Sequence, residues 1–213
     1  MGFCLFANVS IAARHALDSL GAEHVLVLDW DVHHGNGTNA IFHSSPEVLF
    51  ASIHQWPFYP GTGALSDAGS GAGEGFTINL PVPAGSGADD WLGLLEHVVE
   101  PAARAFSPDL VLISAGFDAH RADPLGGCLL DTETFGRLAR RVRALADGLG
   151  APVGAVLEGG YDLDALAASV VATMEGLVDG GDDTPGVAPS PLVAAAAEQV
   201  GRFWPDVRAG AAG

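Results

Sequence analysis

Lysine is absent from this 213-residue sequence, and all nine basic residues are arginine. No lysine amine is therefore open to Schiff-base chemistry. Cysteine is nearly absent too. Cys4 and Cys128 are too few for a disulfide framework, so a reducing, cytoplasmic setting is the expectation. No run of eighteen apolar residues occurs, and no membrane-spanning helix is expected. The opening MGFCLF lacks the basic flank and small-residue cleavage site of a signal peptide. Positive charge is scarce: nine basic residues face twenty-six acidic ones, for a formal net charge of -17. Such a surface repels phosphate backbones, so nucleic acid is not expected as a direct partner. It attracts cationic substrates, although general acidity more commonly serves solubility.

What is present is apolar and patterned. A composition of 48% hydrophobic and 16% charged residues suits one domain with a well-buried core. Five short β-branched runs punctuate it: residues 24–29 (HVLVLD), 48–53 (VLFASI), 76–80 (FTINL), 110–114 (LVLIS) and 153–157 (VGAVL). Continuous rather than alternating apolarity predicts strands buried on both faces, as in a parallel sheet covered by helices. Helical patterns lie between them. Residues 8–20 have apolar positions at 9, 12, 13, 16, 17 and 20; residues 89–106 open on Asp89-Asp90 and contain Pro101, where a kink is expected. Residues 131–149 open on Asp-Thr-Glu-Thr and stop at Gly150, and residues 162–178 follow the last strand. The expected fold class is α/β, a mostly parallel sheet flanked by helices. The expected organisation is a main body over 1–178, a flexible linker over 179–191, and a terminal helix and frayed tail over 192–213.

In open parallel sheets, ligands bind beyond the carboxyl ends of the strands. The first strand is followed by Asp29-Trp30-Asp31-Val32-His33-His34, the second by Ser52 and His54, the fourth by Gly116-Phe117-Asp118-Ala119-His120, and the fifth by Glu158-Gly159-Gly160-Tyr161. In an extended segment Asp31 and His33 point the same way. With a third ligand from another strand they make the open three-ligand arrangement of catalytic zinc, and Asp118 is the natural third member. Asp29 shares their parity one step deeper, where a carboxylate orients a ligand or holds a second cation. A lone D-x-H more often caps a helix or satisfies a buried donor, but the convergence of four strand ends favours a metal. The run GNGTNA fits a dinucleotide fingerprint only formally, because it follows an Asp/His-rich insert rather than the strand itself.

These segments resemble a known family. DWDVHHGNGT, SIHQWPFYPGTG, INLPVPAGSG, SAGFDAHRADPLGG and LEGGYD, with Gly2-Phe3-Cys4 before them, are similar to successive blocks of the zinc-dependent histone deacetylase and acetylpolyamine amidohydrolase family. The resemblance covers roughly residues 1–178 and implies an arginase/deacetylase-like three-layer sandwich. By resemblance, Asp31, His33 and Asp118 ligate zinc, and Tyr161 polarises the substrate carbonyl. A structural K+ or Na+ would sit at Asp29, the carbonyls of Asp31 and His33, Ser52 and Ile53. Phe3 and Tyr59 would line the acyl channel, while His34, Gly159 and Gly160 support the ligands from behind. The expected substrate is an acylated amine. In the family a His-His pair, shortly before the Gly-Phe-Cys block, supplies the general base. This sequence starts one residue before that block, so the expectation is an N-terminally truncated member. The alternative function is then a catalytically impaired binding module. An arginase-like two-manganese hydrolase fits less well, because the segments carry one D-x-H and one Asp rather than doubled D-x-D sets. Asp67, in the glycine-rich loop 60–75, either binds a cationic amine at the rim or caps a turn.

Overall fold

A computed structural model describes residues 3–180 and 185–210 of the chain. Met1, Gly2, part of the expected linker (181–184) and the last tail residues (211–213) lie outside the described residues. The five runs form β1 (Val25–Asp29), β2 (Val48–Gln55), β3 (Thr77–Val82), β4 (Leu110–Ala115) and β5 (Val153–Leu157). All neighbours pair in parallel, in the order β3-β2-β1-β4-β5. The chain thus runs outward from β1 to β3, then returns to lay β4 against the other side of β1. β1 and β4 flank the switch point at which strand order reverses, where open parallel sheets form their ligand crevice.

Alternate strand residues feed two cores. Val25, Val27, Val48, Phe50 and Leu112 pack with α1 (Asn8–Ser19) and α2 (Asn36–Phe42) on one face. Leu26, Leu28, Leu49, Ile53, Val111 and Ile113 face the larger core on the other. That core is closed by α3 (Ala88–Leu94), α4 (Glu100–Phe106) and α5 (Thr132–Leu149), with α6 (Leu163–Asp179) packed on α5. The result is the three-layer arrangement. α5 starts and stops where its sequence signals lie: the Asp131 carboxylate accepts the Thr134 N–H, and Gly150 ends the helix at φ 70°.

Three expectations change. The Pro101 helix does not kink at the proline; a π turn over Leu95–Val99 joins α3 to α4 just upstream, and Pro101 sits in α4's first turn. Beyond Trp204, where fraying was expected, Pro205–Gly210 form α8, and Val207 is fully buried. It joins α7 (Pro191–Val200), which itself buries Val193 and Val200 in the main core. Third, β5 is not buried on both faces. Among the described residues it is an edge strand paired with β4 alone, none of its five residues is fully buried, and Leu157 is 59% exposed. Its run of small and apolar residues reads like a central strand because strand order leaves no mark on local composition. No helix among the described residues is long and apolar enough to cross a membrane.

Candidate metal centre

Past β1 the chain stops pairing as a strand, because carboxylates take over its N–H groups. Asp29 accepts from the Asp31 N–H at 3.0 Å, Asp118 from Val32 at 2.7 Å, and Asp31 from His33 at 2.8 Å. Each of these carboxylates is thereby held by a backbone N–H of the segment after β1. Asp118 arrives from the turn after β4 and is completely buried. The parallel register between β1 and β4 brings it alongside the Asp31–His33 segment. One ligand atom from each of Asp31, His33 and Asp118 lies within 4.8 Å of the others.

His33 Nδ1 stands 3.0 Å from both Asp31 Oδ1 and Asp118 Oδ2. Burial works against a charged ring, but hydrogen bonds to Asp118 and Asp31 outweigh it and lift the imidazole to about 10. Burial, then the neighbouring Asp31 charge, pushes the Asp118 carboxyl upward. Asp29 is likewise raised, by burial and by Asp31. Three carboxyl groups in so small a buried volume have an electrostatic deficit that a cation relieves. Two carboxylate oxygens and an imidazole nitrogen, with the cavity open beside them, suit a catalytic divalent metal. Asp31, His33 and Asp118 therefore form a group able to hold a metal ion; it is the sole such cluster among the described residues.

The loop after β5 closes over this group. The Gly159 N–H donates to Asp31 Oδ2 at 3.0 Å, and its carbonyl accepts from the Phe117 N–H at 2.7 Å. Gly159 is required by closeness rather than by backbone angle: a methyl there would lie 2.2 Å from Asp118 Oδ2. Gly160 supplies the turn itself, at φ 136°. Tyr161 follows, facing the same cavity of about 710 Å³ that Asp31 and His33 line. Burial and the charges of Asp118 and Asp31 raise its phenol to about 12, so it stays protonated and able to donate.

Phe3 and Tyr59 both line that cavity, Phe3 edge-on to Tyr161 with ring centroids 5.6 Å apart. Sequence reasoning passed over Phe58, which stacks on the His33 ring at 5.1 Å; its only sequence signal was its place beside Tyr59. Asp29 and Ser52 are register partners on β1 and β2, with Ile53 next along β2, although the Ser52 hydroxyl also meets His54 Nδ1 at 3.1 Å. His34 also lines the cavity, 4% exposed, with Nδ1 2.8 Å from the Thr62 hydroxyl and its ring 4.8 Å from that of His54. His120 does not line the cavity; its Nδ1 accepts from the Ala122 N–H. Asp67 does not line it either, and its carboxylate lies 3.8 Å from His43. Glu158, which does line it, accepts the Cys4 thiol at 3.1 Å.

Comparison with known proteins supplies the family. A model described as the histone deacetylase domain matches residues 1–177. "Histone deacetylase 14, chloroplastic" of Arabidopsis thaliana is 46% identical over 86% of the chain, and a "Probable deacetylase" of Methanothermobacter thermautotrophicus is 47% identical over 83%. The chain spans only 43% and 53% of those two relatives. Among solved structures, the "HDA15 HD domain" superposes with a TM-score of 0.90 at 42% identity, covering all of this chain and 59% of that one. The "histone deacetylase Clr3" superposes at 0.86 and 36% identity, covering 96% of this chain and 36% of that one. With a domain match over most of its length and relatives alike in both sequence and fold, the chain belongs to the histone deacetylase family.

Proposed function

We propose that the chain carries a zinc-dependent amidohydrolase site that removes acetyl, or a similar acyl group, from acylated amines such as acetyl-lysine or acetylpolyamines. The observation that carries this reading is the metal-holding group, whose Asp31 and His33 line the same cavity as Tyr161. Asp31, His33 and Asp118 would hold the zinc, which when bound would supply Lewis acidity for a carbonyl and for activating water. Tyr161 donates its phenol proton as a hydrogen bond to the carbonyl oxygen as negative charge develops there, a contribution of about 3 kcal/mol. Phe3, Phe58 and Tyr59 give the cavity aromatic walls for an aliphatic chain and exclude water beside the reacting carbonyl. A monovalent cation at Asp29, Ser52, Ile53 and the carbonyls of Asp31 and His33 is part of the same proposal, supported by the buried Asp29 carboxyl. So is a reducing, cytoplasmic setting, supported by the free thiols of Cys4 and Cys128.

One observation favours a second reading, in which the chain binds an acylated amine but turns it over poorly. Among the described residues the imidazoles lining the cavity are those of His33 and His34. His33 belongs to the metal group, and burial lowers the His34 pKa while its Nδ1 meets Thr62. General-base assistance is commonly worth about 10²–10⁴-fold, so its weakness alone separates the two readings. The test measures zinc content and acetate release from an acetyl-lysine peptide and an acetylpolyamine, for wild type and Asp118→Ala. The first reading expects one zinc and acetate release in wild type, both lost in the variant. Zinc binding without acetate release supports the second reading. Unchanged zinc content in Asp118→Ala overturns the ligand assignment.

A further inference from the structure

Tyr161 is poorly held by its own side chain. It is 37% exposed, and among the described residues the aromatic ring that meets it is Phe3, edge-on. It also follows Gly160, whose φ of 136° lies where a backbone without Cβ has wide freedom. A phenol that must meet an oxygen within a fraction of an ångström therefore depends on its main chain.

That main chain is gripped from a distant turn. The Tyr161 N–H donates to Asp123 Oδ2 at 2.7 Å, across 38 residues of sequence. The other oxygen of the same carboxylate accepts from Leu125 N–H at 2.9 Å and Gly126 N–H at 3.2 Å. The short-range pair is an ordinary turn of Asp with the residues that follow it. The bond to Tyr161 is additional to what that turn requires. Asp123 is 8% exposed, so the bond is sheltered from competing water.

The turn is itself seated on the metal group. A methyl on Gly126 would lie 2.0 Å from the Asp118 carbonyl oxygen, so the turn rests directly against the main chain of a ligand. The Asp123 N–H also donates to the His120 carbonyl at 2.9 Å, tying the turn to the segment that carries Asp118. A continuous path thus runs from Asp118 through the 123–126 turn and the Asp123 carboxylate to the backbone of Tyr161. On the other side, Gly159 is bonded to Asp31. We propose that Asp123 is the positioning residue for Tyr161, fixing the phenol in register with the Asp31–His33–Asp118 group. This rests on the deacylase reading above for its consequence in turnover, and on geometry alone for the clamp.

Asp123→Asn keeps the shape and leaves one oxygen for Leu125 and Gly126, but it turns an NH2 toward the Tyr161 N–H. Zinc-loaded full chain is compared as wild type, Asp123→Asn, Tyr161→Phe and the double variant, by residue-resolved amide exchange, zinc content and kinetics on an acetyl-lysine peptide. The expected result is lost protection at the Tyr161 amide with β1 amides unchanged. kcat falls by roughly ten- to a hundredfold at constant KM and zinc content. In the Tyr161→Phe background Asp123→Asn has no further effect, because the group it positions is gone. Retained protection at Tyr161, additive effects in the double variant, or protection lost from β1 as well would each overturn the proposal. A wild type without turnover, with Tyr161 protection lost in Asp123→Asn, counts against the deacylase reading and leaves the clamp standing.

Discussion

Gly159→Ala places a methyl group where the Asp31 and Asp118 carboxylates already are. Its Cβ would lie 2.2 Å from Asp118 Oδ2, 2.6 Å from Asp31 Oδ2 and 2.8 Å from Asp118 Cγ. Ordinary carbon–oxygen contact is more than an ångström longer than the first of these, so something must move. The carboxylates cannot swing away freely. Asp118 Oδ1 is held by the Val32 N–H at 2.7 Å, and Asp31 is held by both His33 and Gly159 N–H groups. Moving the loop instead breaks the Gly159–Asp31 and Phe117–Gly159 bonds. Overpacking of this kind costs about 1–3 kcal/mol of stability. Disturbing the groups that orient a metal ligand commonly costs about 10–100-fold in metal affinity. Zinc affinity by chelator competition, and urea unfolding of the metal-free protein, measure the two effects. Gly87→Ala is the control, since a Cβ there meets nothing within 4 Å and φ is -117°. Wild-type zinc affinity in Gly159→Ala would refute the reasoning, because the close approach would then place no constraint on the ligands.

Three other outcomes are expected. Tyr161→Phe keeps its zinc and loses kcat by roughly a hundredfold or more, one oxyanion donor being removed; a wild-type rate would mean that the phenol only packs. Burial, with the adjacent His34, pushes His54 from 6.5 down to about 4, so between those values the unfolded chain binds a proton the folded chain does not. Stability therefore falls as pH drops through that window, by roughly 3 kcal/mol at most, and urea midpoints at pH 7.5 and 5 should converge in His54→Gln; an equal slope in the variant would assign the acid sensitivity elsewhere. Leu157→Lys should lower light scattering relative to wild type at high protein concentration, because among the described residues β5 presents an unpaired edge with no charge or proline in its five residues; equal scattering would show that this edge does not drive association.

Much of this protein was legible one segment at a time. The apolar runs located every strand, and Asp131 and Gly150 marked both ends of α5. The single-residue spacing of Asp31 and His33 put them on one side of an extended segment, and Gly160-Tyr161 announced a turn that presents a phenol. These features depend on periods of two or 3.6 residues and on the conformational range of individual residue types, which any short window of sequence displays. Other features belong to strand order and loop packing. Asp118 reaches His33 because β4 returns to the free side of β1, and β5 is half exposed because that same order leaves it at the edge. The requirement for glycine at 159, the stacking of Phe58 on His33, and the Asp123 bond to Tyr161 all join residues 25 or more apart in the chain. No local pattern encodes such contacts. They arise when the whole sheet assembles and three loops compete for one small, charged volume at the β1–β4 switch point, and there the tertiary structure alone decided which side chains meet.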